Sequence, residues 1–155
     1  MEYNSLAVNT AGYLREAIIA ELGAINQYES NIKCCHIKEL KDVLTHIYEE
    51  EIEHYQTFLN LLRKYDHQQY LAYKQVSSHL DFGKIHIRDE DIVCVKTLVQ
   101  RLRDDMSGEH QAILLYESHF RKLRPYDVKC AYEKIIADEK HHTEELDYVL
   151  KHLCL

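Results

Sequence analysis

The sequence predicts an all-α fold, a four-helix bundle made of two similar helix hairpins joined by a long crossover. Three observations predict it. Four long segments carry apolar residues at helical spacing, and the 155 residues include one proline and four glycines, too little punctuation for an all-β chain. Few residues separate the first segment from the second and the third from the fourth, so each pair forms an antiparallel hairpin, whereas residues 66–90 separate the two pairs. A set of acid and imidazole side chains also occurs twice. Glu21, Glu51 and His54 are matched by Glu109, Glu139 and His142, each member 88 positions from its counterpart.

The first segment spans about residues 5–35, with an apolar stripe at Leu14, Ile18, Ile25, Tyr28 and Ile32. The second spans about 38–65, with Leu40, Leu44, Ile47, Phe58, Leu61 and Leu62. Hairpin one is thus about 5–65. The crossover holds His67, Gln68, Gln69, the pair Ser77 and Ser78, and the run Phe82-Gly83-Lys84-Ile85; part of it is free to extend the second helix. One long crossover is the ferritin-like topology, distinct from simple up-down-up-down. Hairpin two spans about 91–154. Its first helix, 91–123, carries Val95, Leu98, Leu102, Met106, Ile113, Tyr116 and Phe120. Its second begins at Pro125, a residue suited to a first helical turn, and carries Val128, Tyr132, Ile135, Leu146, Val149 and Leu150. The whole chain, 1–155, reads as one domain. The repeat reaches past the six residues: Ala24, Ile25, Tyr28 and Glu29 match Ala112, Ile113, Tyr116 and Glu117 at the same offset.

Each stripe has a gap near its middle, and the repeated residues fill the gaps. Glu21 stands between Ile18 and Ile25, Glu51 and His54 between Ile47 and Phe58, Glu109 between Met106 and Ile113, and Glu139 and His142 between Ile135 and Leu146. Spacings of three and four put all of them on inward faces. A carboxylate there has lost its water and needs a partner, and four at one level repel unless cations stand between them. In Glu-x-x-His the two side chains leave adjacent turns of one face and reach one metal, or the carboxylate bridges two. Carboxylate and imidazole ligands suit iron or manganese, with zinc as a further option. Four Glu and two His are the ligand inventory of a dinuclear carboxylate site, so two iron ions per site are expected.

Tyr28 and Tyr116 each lie seven positions after their glutamate, about two turns or ~10 Å along the same face. They read either as donors to a ligand carboxylate of another helix, or one-electron donors, or as core aromatics. Glu49, Glu50 and Glu53 read as a solvated face, as do Glu133, Glu144 and Glu145. His36, His46, His119 and His152 read as surface residues, and His110 and His141 point away from the ligand face.

Other classes are disfavoured. The net charge of −7, with acids spread along the chain, argues against nucleic acid as a partner. No signal segment or membrane span is apparent, and a cytoplasmic location is expected. Five cysteines, Cys34, Cys35, Cys94, Cys130 and Cys154, contain no Cys-x-x-Cys and do not form a secreted disulfide framework. Cys34 and Cys35 read as two thiols near a helix end, with a redox pair as the alternative.

The run Glu21-Leu-Gly-Ala-Ile-Asn-Gln-Tyr28, the motif Glu51-Ile-Glu-His54 and the motif Asp138-Glu139-Lys-His-His142 resemble helix signatures of the ferritin-like superfamily, within it the rubrerythrin and bacterioferritin groups. Gly83-Lys84-Ile85 is similar to the bacterioferritin crossover. The resemblance implies that Glu51 and Glu139 bridge two metals, with Glu21 and His54, and Glu109 and His142, as terminal ligands. Four departures shape the expectation. Ile52 occupies the position of the bacterioferritin haem-ligating Met, so no haem is expected. Thirteen residues after His142 complete the fourth helix without the fifth helix of cage-forming ferritins, so a homodimer, open to hairpin swapping, is expected rather than a shell. A rubredoxin domain is lacking, and Ala112 stands where many rubrerythrins carry an extra glutamate. The implied activity is that of an oxidoreductase reducing hydrogen peroxide with electrons from an external, rubredoxin-like donor. The alternatives are a ferroxidase or iron-handling protein, a di-iron oxygenase using dioxygen, a dimanganese catalase, or a metal-binding scaffold.

Overall fold

The computed structural model describes residues 2–79 and 93–152, with side chains for 7–75 and 93–152. Among the described residues there are five helices and no strand: α1 Glu2–Cys34, α2 Lys38–Tyr65, α3 His67–His79, α4 Leu98–Lys122 and α5 Tyr126–His152. Helices α1 and α2 form one antiparallel hairpin, and α4 and α5 the other. Contacts of α1 with α4 and of α2 with α5 close the two into an all-α ferritin-like bundle. None of these helices is long and apolar enough to cross a membrane.

The local chemistry explains most boundaries. Residues 35–37 turn the chain between α1 and α2, and Leu123, Arg124 and Pro125 turn it between α4 and α5, with α5 starting directly after the proline. The crossover does not extend α2. Asp66 stops it: its backbone N–H donates to the Leu62 carbonyl, while its side chain accepts from the Gln69 N–H and so starts α3. Arg15 of α1 forms an ion pair with the same Asp66. The run Phe82-Gly83-Lys84-Ile85 expected in the crossover lies outside the described residues, and Ser77 and Ser78 are described only as backbone of α3.

Two expectations need correction here. The third stripe does not start at Val95, which is 86% exposed and precedes the helix. Thr97 is the N-cap, and it makes a capping box with Gln100 that fixes the start at Leu98. The reading of Cys34 as a free thiol is also overturned, because Cys34 is joined by a disulfide to Cys94, which ties the end of α1 to the segment entering α4. Cys35 is free and buried, and Cys130 is free and exposed.

The core is divided in two. One cluster holds Leu14, Ile18, Phe58, Leu62, Tyr116 and Tyr132. The other holds Tyr28, Leu40, Leu44, Ile47, Leu102 and Leu146. All twelve are at most 2% exposed. Along α2, α4 and α5 the polar gap falls between the part that feeds one cluster and the part that feeds the other, while along α1 the first cluster reaches past Glu21 to Ile25 and the second begins at Tyr28. The site is thus a polar layer clamped between two apolar ones. Full burial of each large aliphatic or aromatic side chain contributes ~1.5–3 kcal/mol, which offsets the cost of holding ionisable groups in the middle.

Candidate metal centre

The bundle brings all six repeated residues of a single chain to one level. Glu21, Glu51, His54, Glu109, Glu139 and His142 are each 3% exposed or less. They form two overlapping groups, Glu21 with Glu51, His54 and Glu139, and Glu51 with Glu109, Glu139 and His142. In each group the ligand-capable atoms all lie within 4.8 Å of one another. Glu51 and Glu139 belong to both groups. That sharing is what bridging carboxylates require, with one glutamate and one histidine left to complete each end.

The distances are close and consistent between the halves. His54 Nδ1 lies 3.1 Å from Glu139, 3.7 Å from Glu51 and 3.9 Å from Glu21. His142 Nδ1 lies 3.3 Å from Glu51, 3.4 Å from Glu109 and 3.6 Å from Glu139. The two imidazoles stack 5.8 Å apart.

The donor set fits a pair of metal ions. Both carboxylate oxygens of Glu51, one of Glu139, and the Nδ1 atoms of His54 and His142 are buried without a hydrogen bond. Buried polar atoms are nearly always satisfied, and here five unsatisfied ones converge from two helices, α2 and α5, on the space between the helices. They are carboxylate oxygens and imidazole nitrogens, the donors that iron, manganese or zinc accept. The residues present fit the two ions.

The electrostatics of the metal-free chain point the same way. Burial, then the neighbouring Glu51 charge, pushes Glu21 well above the carboxylate range. Burial likewise raises Glu109, with Glu139 and Glu51 adding to it. Burial would also raise Glu51 and Glu139, but the two imidazoles outweigh it and hold both below the usual range. Burial lowers His54, but Glu139 and Glu51 carry it up to about 10, and Glu109, Glu139 and Glu51 raise His142 in the same way. Protons thus do in the metal-free layer what cations would do in the loaded one.

The surrounding groups orient the six. Tyr116 donates to Glu21 across 2.6 Å, and Tyr28 donates to Glu109. Each tyrosine therefore steadies the terminal glutamate of the opposite hairpin. The outer nitrogen of each histidine is also engaged, His142 Nε2 with Glu50 at 2.8 Å and His54 Nε2 with Asp138 at 3.2 Å. A carboxylate on Nε2 fixes the proton there, leaves Nδ1 available to a metal and raises its basicity. The reading of Glu50 as part of a solvated face is thereby corrected: its side chain is only 30% exposed and turns inward to His142. Asp138 stands 88 positions from Glu50, so the offset that exposes the six residues exposes these two as well.

His119 is a further correction. It is 2% exposed and not a surface residue. Its Nδ1 lies 3.1 Å from the Tyr132 hydroxyl and its Nε2 lies 2.7 Å from Glu16. The sequence signal was its position three residues after Tyr116, on the same inward face. Tyr116 and Tyr132 meet edge to face with centroids 5.7 Å apart.

Residues 2–77, the first hairpin with most of α3, match the EncFtn-like family, an encapsulin-associated ferritin-like family. No curated protein and no solved structure gives a match. The match and the bundle support the ferritin-like superfamily, while the finer rubrerythrin or bacterioferritin assignment gains no support from it. With the buried carboxylate and histidine layer, the chain has the features of a metal-binding ferritin-like protein.

Proposed function

We propose that this protein takes Fe(II) as a substrate at a dinuclear centre and oxidises it, passing the electrons to peroxide or dioxygen. The observation that carries the reading is the pair of overlapping four-residue groups sharing Glu51 and Glu139. Two bound ferrous ions supply two electrons together, which with two protons convert hydrogen peroxide into two waters. The protein's share is positional. Glu51 and Glu139 reach both positions, and His54 and His142 complete the ends. Tyr116 and Tyr28 hold the terminal carboxylates in place, and the two apolar clusters close the layer off along the bundle axis. Fixed ligands avoid the reorganisation that the same ions undergo in water.

A second reading, peroxide reduction with electrons from an external, rubredoxin-like donor, is favoured by one observation. Tyr116, bonded to Glu21, packs on Tyr132, which bonds His119, which reaches Glu16, a residue 60% exposed at its side chain. That chain of groups runs from the centre to the surface.

Rapid mixing separates the two. Metal-free protein is given two Fe(II) per chain without oxygen, then peroxide or dioxygen, and Fe(III) absorbance is followed. The first reading expects continued oxidation when Fe(II) is in excess. Oxidation that halts after one round and resumes only on addition of a reductant supports the second. Less than about one metal bound per chain defeats both.

A further inference from the structure

A cavity of about 300 Å3 lies between α1 and α4, and its floor includes the carboxylates of Glu21, Glu51, Glu109 and Glu139. Small residues form much of its wall: Gly23 and Ala24 of α1, Gly108 and Ala112 of α4. Gly23 and Gly108 are exposed, and a Cβ added at either would meet nothing within 4 Å, so these glycines border open space. Small residues alone make no site, but a second feature does point to a ligand. Asp105 lines the same cavity one turn before Glu109 and is 1% exposed. One of its oxygens accepts from Gln27 at 2.6 Å and from Asn31 at 2.7 Å. Its other oxygen is buried with no hydrogen bond. Arg101 does not neutralise it directly: its guanidinium donates to Asn31 at 2.8 Å. Burial pushes the Asp105 carboxyl up to about 6 despite its two donors.

We propose that the free oxygen of Asp105 is a docking point for a divalent cation entering the centre through the cavity between α1 and α4. Gln27 and Asn31 fix the carboxylate, so its free oxygen is held in place rather than swinging to solvent. One carboxylate binds a divalent ion weakly. Weak binding suits transfer, because the ion meets a negative group on the way in and is then drawn to the richer donor set of the floor. Nothing in the oxidation chemistry uses Asp105, and its counterpart at the 88-position offset, Ala17, carries no charge, so the repeat does not duplicate this docking point.

The inference rests on the reading that the centre binds two metals, and the test keeps the two separate. Metal-free full-length protein is mixed with Co(II) alone, and its absorption bands report both the rate of loading and the final stoichiometry. Asp105→Asn keeps an acceptor for Gln27 and Asn31 and removes only the charge. Gly108→Leu narrows the mouth and leaves the Asp105 network in place. Asp104→Asn, at an exposed neighbour paired with Lys96, controls for net charge. The expected result is loading slowed about tenfold or more by Asp105→Asn and by Gly108→Leu, with two Co(II) bound at the end and no change for Asp104→Asn. Unchanged loading in Asp105→Asn overturns the proposal, as does a loss of final stoichiometry, which would make Asp105 a structural residue. Should Asp105→Asn fail to fold, unchanged loading in Gly108→Leu overturns the entry route. A wild-type protein that takes up no Co(II) defeats the dinuclear reading itself.

Discussion

Neutralising the carboxylates behind the two histidines should weaken metal binding without unmaking the site. Glu50→Gln and Asp138→Asn keep shape and some hydrogen bonding but remove the charge that faces the imidazole Nε2 atoms, 2.8 Å away in one case and 3.2 Å in the other. Loss of such a partner lowers metal affinity ~10–100-fold, or about 1.4–2.7 kcal/mol. The structure ranks the two. Glu50 makes the shorter contact and Asp138 the longer one, while each has a basic neighbour, His46 3.7 Å from Glu50 and Lys134 3.9 Å from Asp138. Glu50→Gln should therefore lie near the upper end of the range and Asp138→Asn near the lower. Each should affect mainly the position completed by its own histidine, His142 or His54. Titration calorimetry with Co(II), in competition with a chelator, measures both steps, and the final stoichiometry should stay at two. Equal, unchanged affinities in both variants would refute the claim that these carboxylates tune the ligands. A stoichiometry of zero would show instead that they hold the fold.

Three more outcomes are expected. Glu51→Ala or Glu139→Ala should remove one or both metals, since each belongs to both ligand groups; metal analysis after loading checks it, and intact binding would refute the bridging assignment. Cys94→Ser opens a covalent link between residues 60 apart in sequence, for which chain entropy predicts a loss of about 4 kcal/mol of unfolding free energy in the metal-free protein; urea titration reads it, and an unchanged midpoint contradicts it. The metal-free protein should lose stability as pH rises from 6.5 towards 10. His54 has a folded value of about 10 against an ordinary 6.5, so its contribution is full below 6.5 and fades as the proton leaves the folded state. Glu21 and Glu109, also raised, act in the same direction. For the same reason metal uptake should release protons and weaken as pH falls. Thermal melts in chelator across this range, and uptake titrations in buffers of different ionisation enthalpy, test the two halves of that statement.

The six central residues were legible because helical periodicity marks inward faces without ambiguity, and an acid in an apolar stripe demands a reason. The residues behind them were not. Glu50 and Asp138 sit one position before their ligands, about 100° around the helix, where a side chain serves either solvent or the rim of a site. Hydropathy does not separate those outcomes, and the 88-position offset that the two residues share gains meaning only once the structure turns both towards the histidines. Val95 extends the apolar periodicity backwards past the start of α4, which the capping box of Thr97 and Gln100 sets at Leu98. The break between α2 and α3 turns on one side chain, Asp66, bonding locally, which no periodicity reveals. The Cys34–Cys94 link joins residues whose proximity depends on how the hairpins dock, and cysteine spacing does not determine pairing.

Both halves of the metal layer lie on one chain, and this has a consequence in mass action. A centre assembled from two separate hairpins would form only as far as the hairpins associate, so its metal affinity would fall on dilution. Here the covalent crossover, and the disulfide that bridges the same two hairpins, replace that second-order encounter by an intramolecular one whose effective concentration does not depend on how much protein is present. The centre can then keep its affinity at low copy number. Its two halves are also released from being identical, which is how Asp105 can face a neutral alanine across the repeat while the six ligands stay matched.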